Sequence, residues 1–155
     1  MVDEVMFSSA DTEWCTPDWL FNRLDDEFHF ELDAASTDAN AKCLLFFDQE
    51  DNALDSKHKW YPHNSVFVNP PYGRDEIYPW VEKAFHESQK GCTVVMLLPA
   101  RTDTAWFHDW VLGRAEIRFL RGRIKFADVN GKLVENSAPF PSIIVVFKPP
   151  YLKGY

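Results

Sequence analysis

No apolar run in these 155 residues is long enough to cross a bilayer, and no low-complexity tract or internal repeat occurs. Where a secretory leader needs basic residues, Met1 to Ser9 carries acids, so the sequence predicts a cytoplasmic protein without a membrane partner. Cysteine is sparse. Cys15, Cys43 and Cys92 are odd in number and widely separated, which argues for reduced thiols and against a disulfide frame or a zinc site; no metal is expected. Positive charge is also short: a net charge of −8, averaged over the chain, argues against a nucleic-acid partner.

The average conceals a segregation. Residues 1–55 hold 15 acids against Arg23 and Lys42, whereas residues 56–155 hold nine acids against 14 lysines and arginines. The densest basic stretch is Arg114, Arg118, Arg121, Arg123 and Lys125, interrupted by Glu116. Such a face either binds phosphates locally or is merely solvated, and charge alone does not choose. A composition of 46% hydrophobic and 15% aromatic residues is globular, and the length suits one domain with a flexible lead-in over residues 1–13.

The most constrained stretch is Val66-Phe67-Val68-Asn69-Pro70-Pro71-Tyr72-Gly73. Three β-branched or aromatic residues predict a buried strand, which two consecutive prolines end because neither can donate to a ladder. Each proline fixes its own φ and extends the residue before it, so Asn69 and the adjacent carbonyls are held in one geometry. That geometry suits capture of an exocyclic amine. The Asn69 amide oxygen and the Pro70 carbonyl can accept both hydrogens of an amino group, and Tyr72 offers a flat face to a ring. An amine so held presents its nitrogen lone pair to an electrophilic methyl group placed opposite. As an isolated tetrapeptide, Asn-Pro-Pro-Tyr is also an acceptable surface turn.

Around this stretch the chain predicts alternating elements. Thr16-Pro17 reads as a hydroxyl N-cap with proline at the first helical position, opening a helix through about residue 28 with Trp19, Leu20, Leu24 and Phe28 on its apolar face. Phe30 to Asp33 is a short strand, residues 38–42 a brief helix, Cys43 to Phe47 a buried strand, and Asp48 to Asp55 an acidic loop. A helix opens at Pro79 and stops near Gly91; Thr93 to Leu98 is a central strand. Ala105 to Leu112 is helical and Glu116 to Leu120 a strand. Ile124 to Phe126 and Lys132 to Val134 form a hairpin through Asn130-Gly131, and Ser142 to Phe147 is a last strand. This order predicts an α/β fold: a mixed, mostly parallel sheet with helices on both faces and an antiparallel edge from the late hairpin. Ligands of such sheets sit in the crevice at the carboxyl ends of the strands, where Asp33 and Asn69 both fall.

Seven segments, in this order, carry a resemblance: Trp14-Cys15-Thr16-Pro17, Leu32-Asp33-Ala34-Ala35-Ser36, Asp51-Asn52-Ala53-Leu54, Asn69-Pro70-Pro71-Tyr72-Gly73, Leu97-Leu98-Pro99-Ala100-Arg101, Gly122-Arg123-Ile124-Lys125-Phe126 and Ala138-Pro139-Phe140-Pro141. Together they resemble S-adenosylmethionine-dependent amino-methyltransferases, and more closely the small phage-type DNA N6-adenine methyltransferases, from Trp14 to Phe147. The resemblance implies a Rossmann-like methyltransferase fold, S-adenosyl-L-methionine as cofactor, and double-stranded DNA as partner of a monomer or weak homodimer. It implies that Thr16 and Pro17 sit beside the methionine carboxylate, Asp33 takes the ammonium group, and Asp51 with its neighbours through Leu54 lies near the cofactor adenine, with Asp48 as a candidate for the ribose. Asn69, Pro70, Pro71 and Tyr72 would bind and activate the target amine, Asn69 also bordering the cofactor. Pro99-Ala100-Arg101 would border the base pocket, with Arg101 a candidate for a phosphate contact; Phe126 or Phe140 would form the second wall, and Arg121, Arg123 and Lys125 would meet the DNA backbone. Two features depart from the wider pattern. Ala34 and Ala35 stand where a glycine-rich loop usually approaches the cofactor, and there is no room for a separate target-recognition domain. Other amine acceptors use the same turn (adenine in RNA, cytosine N4, a protein glutamine), and a non-catalytic binding module of the same fold is the alternative of a different class.

Overall fold

The computed structural model describes residues 14–37 and 39–152, so the lead-in expected over residues 1–13 lies outside the described residues. Six strands among them form one sheet: β1 (Leu32–Asp33), β2 (Leu45–Phe46), β3 (Ser65–Val68), β4 (Thr93–Pro99), β5 (Glu116–Phe119) and β6 (Ser142–Phe147), in the order β2-β1-β3-β4-β6-β5. The pairs β1–β2, β1–β3 and β3–β4 are parallel, and β6 is antiparallel to both β4 and β5. Five strands therefore run one way and β6 alone runs back between two of them. The α/β class and the mixed, mostly parallel sheet are as the sequence predicted.

Helix α1 (Asp18–Phe28) and helix α2 (Ile77–Lys90) cover opposite faces. Phe67, Val95 and Val146 are cross-strand partners and share one face; Val66, Val94 and Phe147 share the other. Phe21 of α1 packs edge-on against Phe67 with ring centroids 5.2 Å apart, while Phe85 of α2 lies 6.1 Å from Phe147. Every residue of β3 and β6 is buried, which explains their unbroken apolar sequences.

Several expectations are corrected. The N-cap of α1 is Pro17, in extended conformation, whose carbonyl accepts from Leu20 N (3.1 Å) and Phe21 N (3.2 Å); the Thr16 hydroxyl does not cap the helix. Trp19 is largely exposed under the Arg23 guanidinium instead of packing inward. Residues 39–42 hold a turn and bends in place of the brief helix, Asp38 lying outside the described residues: Thr37 N donates to Asn40 Oδ1 (2.7 Å) and Asn40 N to Thr37 O (3.2 Å). Cys43 to Phe47 is not a buried strand. Only Leu45–Phe46 pairs, at the sheet edge, leaving Leu44 100% exposed. The late hairpin shrinks to a single bridge, Ala127 to Leu133, so the reversed strand is β6. Asp128 Oδ1 accepts from both Asn130 N and Lys132 N and closes the turn on itself, while Ile124 and Phe126 point into the core. Ala105 to Leu112 widens into a π-helical turn over Phe107–Val111, with Leu112 N bonded to Phe107 O at 2.8 Å.

These placements predict opposite outcomes for two apolar truncations. Phe67→Ala, which empties the contact under α1, should cost about 3–5 kcal/mol in urea denaturation, whereas Leu44→Ala should change stability by less than about 0.5 kcal/mol.

Candidate active site

Parallel pairing of β1 and β3 brings Asp33, the last residue of β1, and Asn69, the first after β3, to one end of the sheet. Between them and the loop after β2 lies a cavity of about 220 Å³, lined by Thr16, Asp33, Ala34, Ala35, Asp48, Asn52, Asn69 and Pro71 among others. The crevice is where the topology predicts it.

Asp33 is almost completely buried. Lys42 N donates to its Oδ2 (3.0 Å) and Ala35 N to its Oδ1 (3.3 Å). Burial raises its pKa from 3.8 to about 6, with those two amide donors and the Lys42 charge pulling the other way. The carboxyl is therefore ionised at neutral pH. Lys42 itself turns its ammonium to Asp18. Ala34 and Ala35 both line the cavity where glycine was missed, and Ala34 N is bonded to Phe67 O (3.0 Å), so their methyl groups are accommodated beside the strand ends. The Ser36 hydroxyl is buried in the same wall without a well-formed hydrogen bond.

The acidic loop is folded on itself. Asp48 N donates to Asp51 Oδ2 (3.0 Å) and Asp51 N to Asp48 Oδ1 (2.9 Å), a reciprocal pair that turns Asp48 and Asn52 to the cavity, while Asp51 is exposed outside its lining. Buried Trp60 anchors the far end of the loop: its indole donates to Ala53 O (3.2 Å) and its amide to the buried Glu87 carboxylate of α2. Lys83 adds donors to Asp55 O (2.9 Å) and His58 O (2.7 Å).

At the proline-rich corner the Asn69 amide is bonded on both sides. Its Nδ2 donates to Trp14 O (2.7 Å) and Thr16 Oγ1 (3.0 Å), and its Oδ1 accepts from Tyr72 Oη–H (2.6 Å). Tyr72 Oη also lies 3.0 Å from Leu97 O, so one proton serves two acceptors. Tyr72 is fully buried, against the expectation of an open stacking face. The edge-on rings of Phe126 (6.2 Å) and Phe140 (5.8 Å) cover it, and Trp14 completes the aromatic cluster at 5.2 Å from each. Phe126 is buried core; Phe140 is partly exposed. Arg101 Nη1 donates to Tyr72 O (3.2 Å), bracing the corner from behind.

Thr16, Asp33, Ala34 and Asn69 thus meet at the cavity, joined by Pro71; Pro17, Asp51, Pro70, Tyr72, Arg101 and Phe140 stand behind or beside it. Arg121, Arg123 and Lys125 are exposed on the segment after β5, away from the cavity lining. Asn52 and Ala53, of the segment expected near the adenine, do line the cavity; sequence reasoning missed Glu76 and Trp80 in the lining, and the Trp14 carbonyl that holds Asn69. No side-chain pattern signals a backbone acceptor. Among the described residues no group of three or more His, Cys, Asp or Glu could hold a metal, and no helix is long and apolar enough to cross a membrane.

Residues 5–153 match the sequence model of the DNA N-6-adenine-methyltransferase (Dam) family. The chain belongs to this family. It is 34% identical over 119 residues, 76% of the chain, to the DNA N-6-adenine-methyltransferase of Escherichia phage T1, of whose length it covers 48%. It is also 36% identical over 74 residues to YfdM of Escherichia coli strain K12, covering 44% of this chain and 72% of that one. The chain therefore spans about half the length of its phage relative in the Dam family. The aspartate and the Asn-Pro-Pro-Tyr corner stand at one cavity in this Dam family member.

The Asp33 environment yields a titration. Its carboxyl carbon, followed by ¹³C NMR in the free protein, should titrate with a midpoint near 6; a midpoint near 4 would contradict the burial described. Because the folded-state pKa is the higher one, its contribution to stability is fully present below about pH 4 and is lost as the pH rises through about 6.

Proposed function

We propose that this chain transfers a methyl group from S-adenosyl-L-methionine to the N6 amine of adenine in double-stranded DNA, on a single domain of Rossmann-like methyltransferase fold. Convergence of Asp33 and Asn69 on one cavity carries the reading. The lining suits such a cofactor: a buried carboxylate for an ammonium, a hydroxyl and amides in the same wall, and a second carboxylate, Asp48, across the space. When bound, the cofactor supplies a sulfonium-activated methyl carbon.

The chain's own residues do the rest. Asp33 holds the ammonium, and the Thr16-Pro17 strap lies beside the methionine carboxylate. Asp48 and Asn52 meet the ribose and adenine, with Asp51 shaping their turn. Asn69 Oδ1 keeps one lone pair beyond its bond to Tyr72, and together with the Pro70 carbonyl it accepts the two N6 hydrogens of a flipped adenine. Accepting both draws the nitrogen lone pair out of the ring and aims it at the methyl carbon; the amine proton then leaves to water. Phe140, the part-exposed ring of the cluster, is the wall such a base meets, and Arg101 steadies the corner beneath it. Arg121, Arg123 and Lys125 contact phosphates, a local positive patch on an acidic protein.

Incubation with unmodified DNA, followed by nucleoside mass spectrometry, should yield N6-methyladenine, and Asn69→Ala should abolish it with cofactor affinity nearly unchanged. Product only on RNA, on cytosine or on protein would overturn the acceptor, and absence of cofactor binding at millimolar concentration would favour an inert module. Affinity for the cofactor should fall about tenfold per pH unit below pH 6, as Asp33 takes up its proton. Replacing Arg121, Arg123 and Lys125 together by alanine should reduce the slope of log affinity for DNA against log salt by about 3.

A further inference from the structure

A carboxamide can be turned over at little cost, since its oxygen and nitrogen ends are alike in size and shape; which end faces a ligand is decided by its neighbours. For Asn69 the distinction is decisive. With oxygen toward the acceptor amine it grips N–H groups, and with nitrogen there it would oppose them. Its neighbours leave no choice. Trp14 O can only accept, so the atom 2.7 Å from it must be the nitrogen, and the second hydrogen of that nitrogen points to Thr16 Oγ1 at 3.0 Å. Thr16 is buried, and the strap that carries it is pinned on the other side by Cys15 N to Ala127 O (3.2 Å) and Ala127 N to Cys15 O (2.8 Å).

We propose that Thr16 is a positioning residue for methyl transfer: its hydroxyl, with the Trp14 carbonyl, locks the Asn69 carboxamide with Oδ1 toward the acceptor amine. This gives the Thr16 side chain a task in the chemical step, distinct from contact with the cofactor carboxylate or capping of α1. It rests on the reading of Asn69 as the group that grips the amine. The strap is bridged through Ala127 to the segment that follows β5, so the lock is part of the folded scaffold and does not wait for a ligand.

The test compares Thr16→Val, which keeps the shape and removes the acceptor, with Thr16→Ser, which restores it, both measured at saturating cofactor and DNA. Thr16→Val should lower kcat at least about fivefold while Thr16→Ser stays within about twofold of the parent. The side-chain amide signals of Asn69 report independently: in Thr16→Val one of the two Nδ2 protons should shift upfield and lose protection from exchange, and in Thr16→Ser neither should. If Thr16→Val fails to reach the parent melting temperature, Thr16→Ala takes its place under the same criteria. A kcat reduced less than fivefold, or unchanged amide signals, overturns the lock. Asn69→Ala separates the two levels: if that variant still methylates, the reading of Asn69 itself fails, whereas an inactive Asn69→Ala beside a fully active Thr16→Val discards the lock alone.

Discussion

The carboxamide of Asn69 ties together three pieces of chain that are distant in sequence. Its nitrogen holds the strap at Trp14 and Thr16, its oxygen holds Tyr72, and Tyr72 in turn reaches the backbone of β4 at Leu97. A buried or half-buried amide left unbonded would cost about 1–3 kcal/mol, so each partner is constrained by the others. The consecutive prolines make this network possible, because they fix the corner before any side chain has bonded. Everything in the cavity is arranged relative to it: the strap forms one wall, the end of β1 a second, and the loop after β2 a third.

Asp33 poses the complementary problem. It is placed where the protein offers two amide donors and only the partial help of the Lys42 charge, and burial outweighs them and raises its pKa to about 6. The Lys42 ammonium, which could have neutralised it, is engaged by Asp18 at the surface. A structural carboxylate would be better served by that lysine. The arrangement leaves a negative charge at the sheet end that a cationic ligand group would satisfy, and it sits across one cavity from the amide that would receive the other reactant.

Much of this was legible in the sequence, and the failures have a common cause. Fully buried strands announced themselves as continuous apolar runs, as at Val66 to Val68 and Val94 to Leu98. Cys43-Leu44-Leu45-Phe46-Phe47 has the same appearance but lies at the sheet edge, where nothing packs on Leu44. Local pattern records hydrophobicity and not the number of neighbouring strands. The Asn130-Gly131 turn was correctly a turn, yet its ladder stops after one bridge because Ile124 and Phe126 are drawn into the core. Among site residues, Asp33 and Asn69 were found because the first ends a strand and the second follows one. The opening of Tyr72 to a ligand was misjudged because burial by Phe126 and Phe140 comes from segments more than 50 residues away. The Trp14 carbonyl left no trace, since any residue carries one.

The central claim is that the ends of β1 and β3 form one cofactor and acceptor site. A crystal structure with the demethylated cofactor product bound tests it most directly. The account predicts the amino group of that product on the Asp33 carboxylate and its sulfur facing the Asn69 corner; a product bound elsewhere, or bound with its sulfur turned away from Asn69, would contradict it.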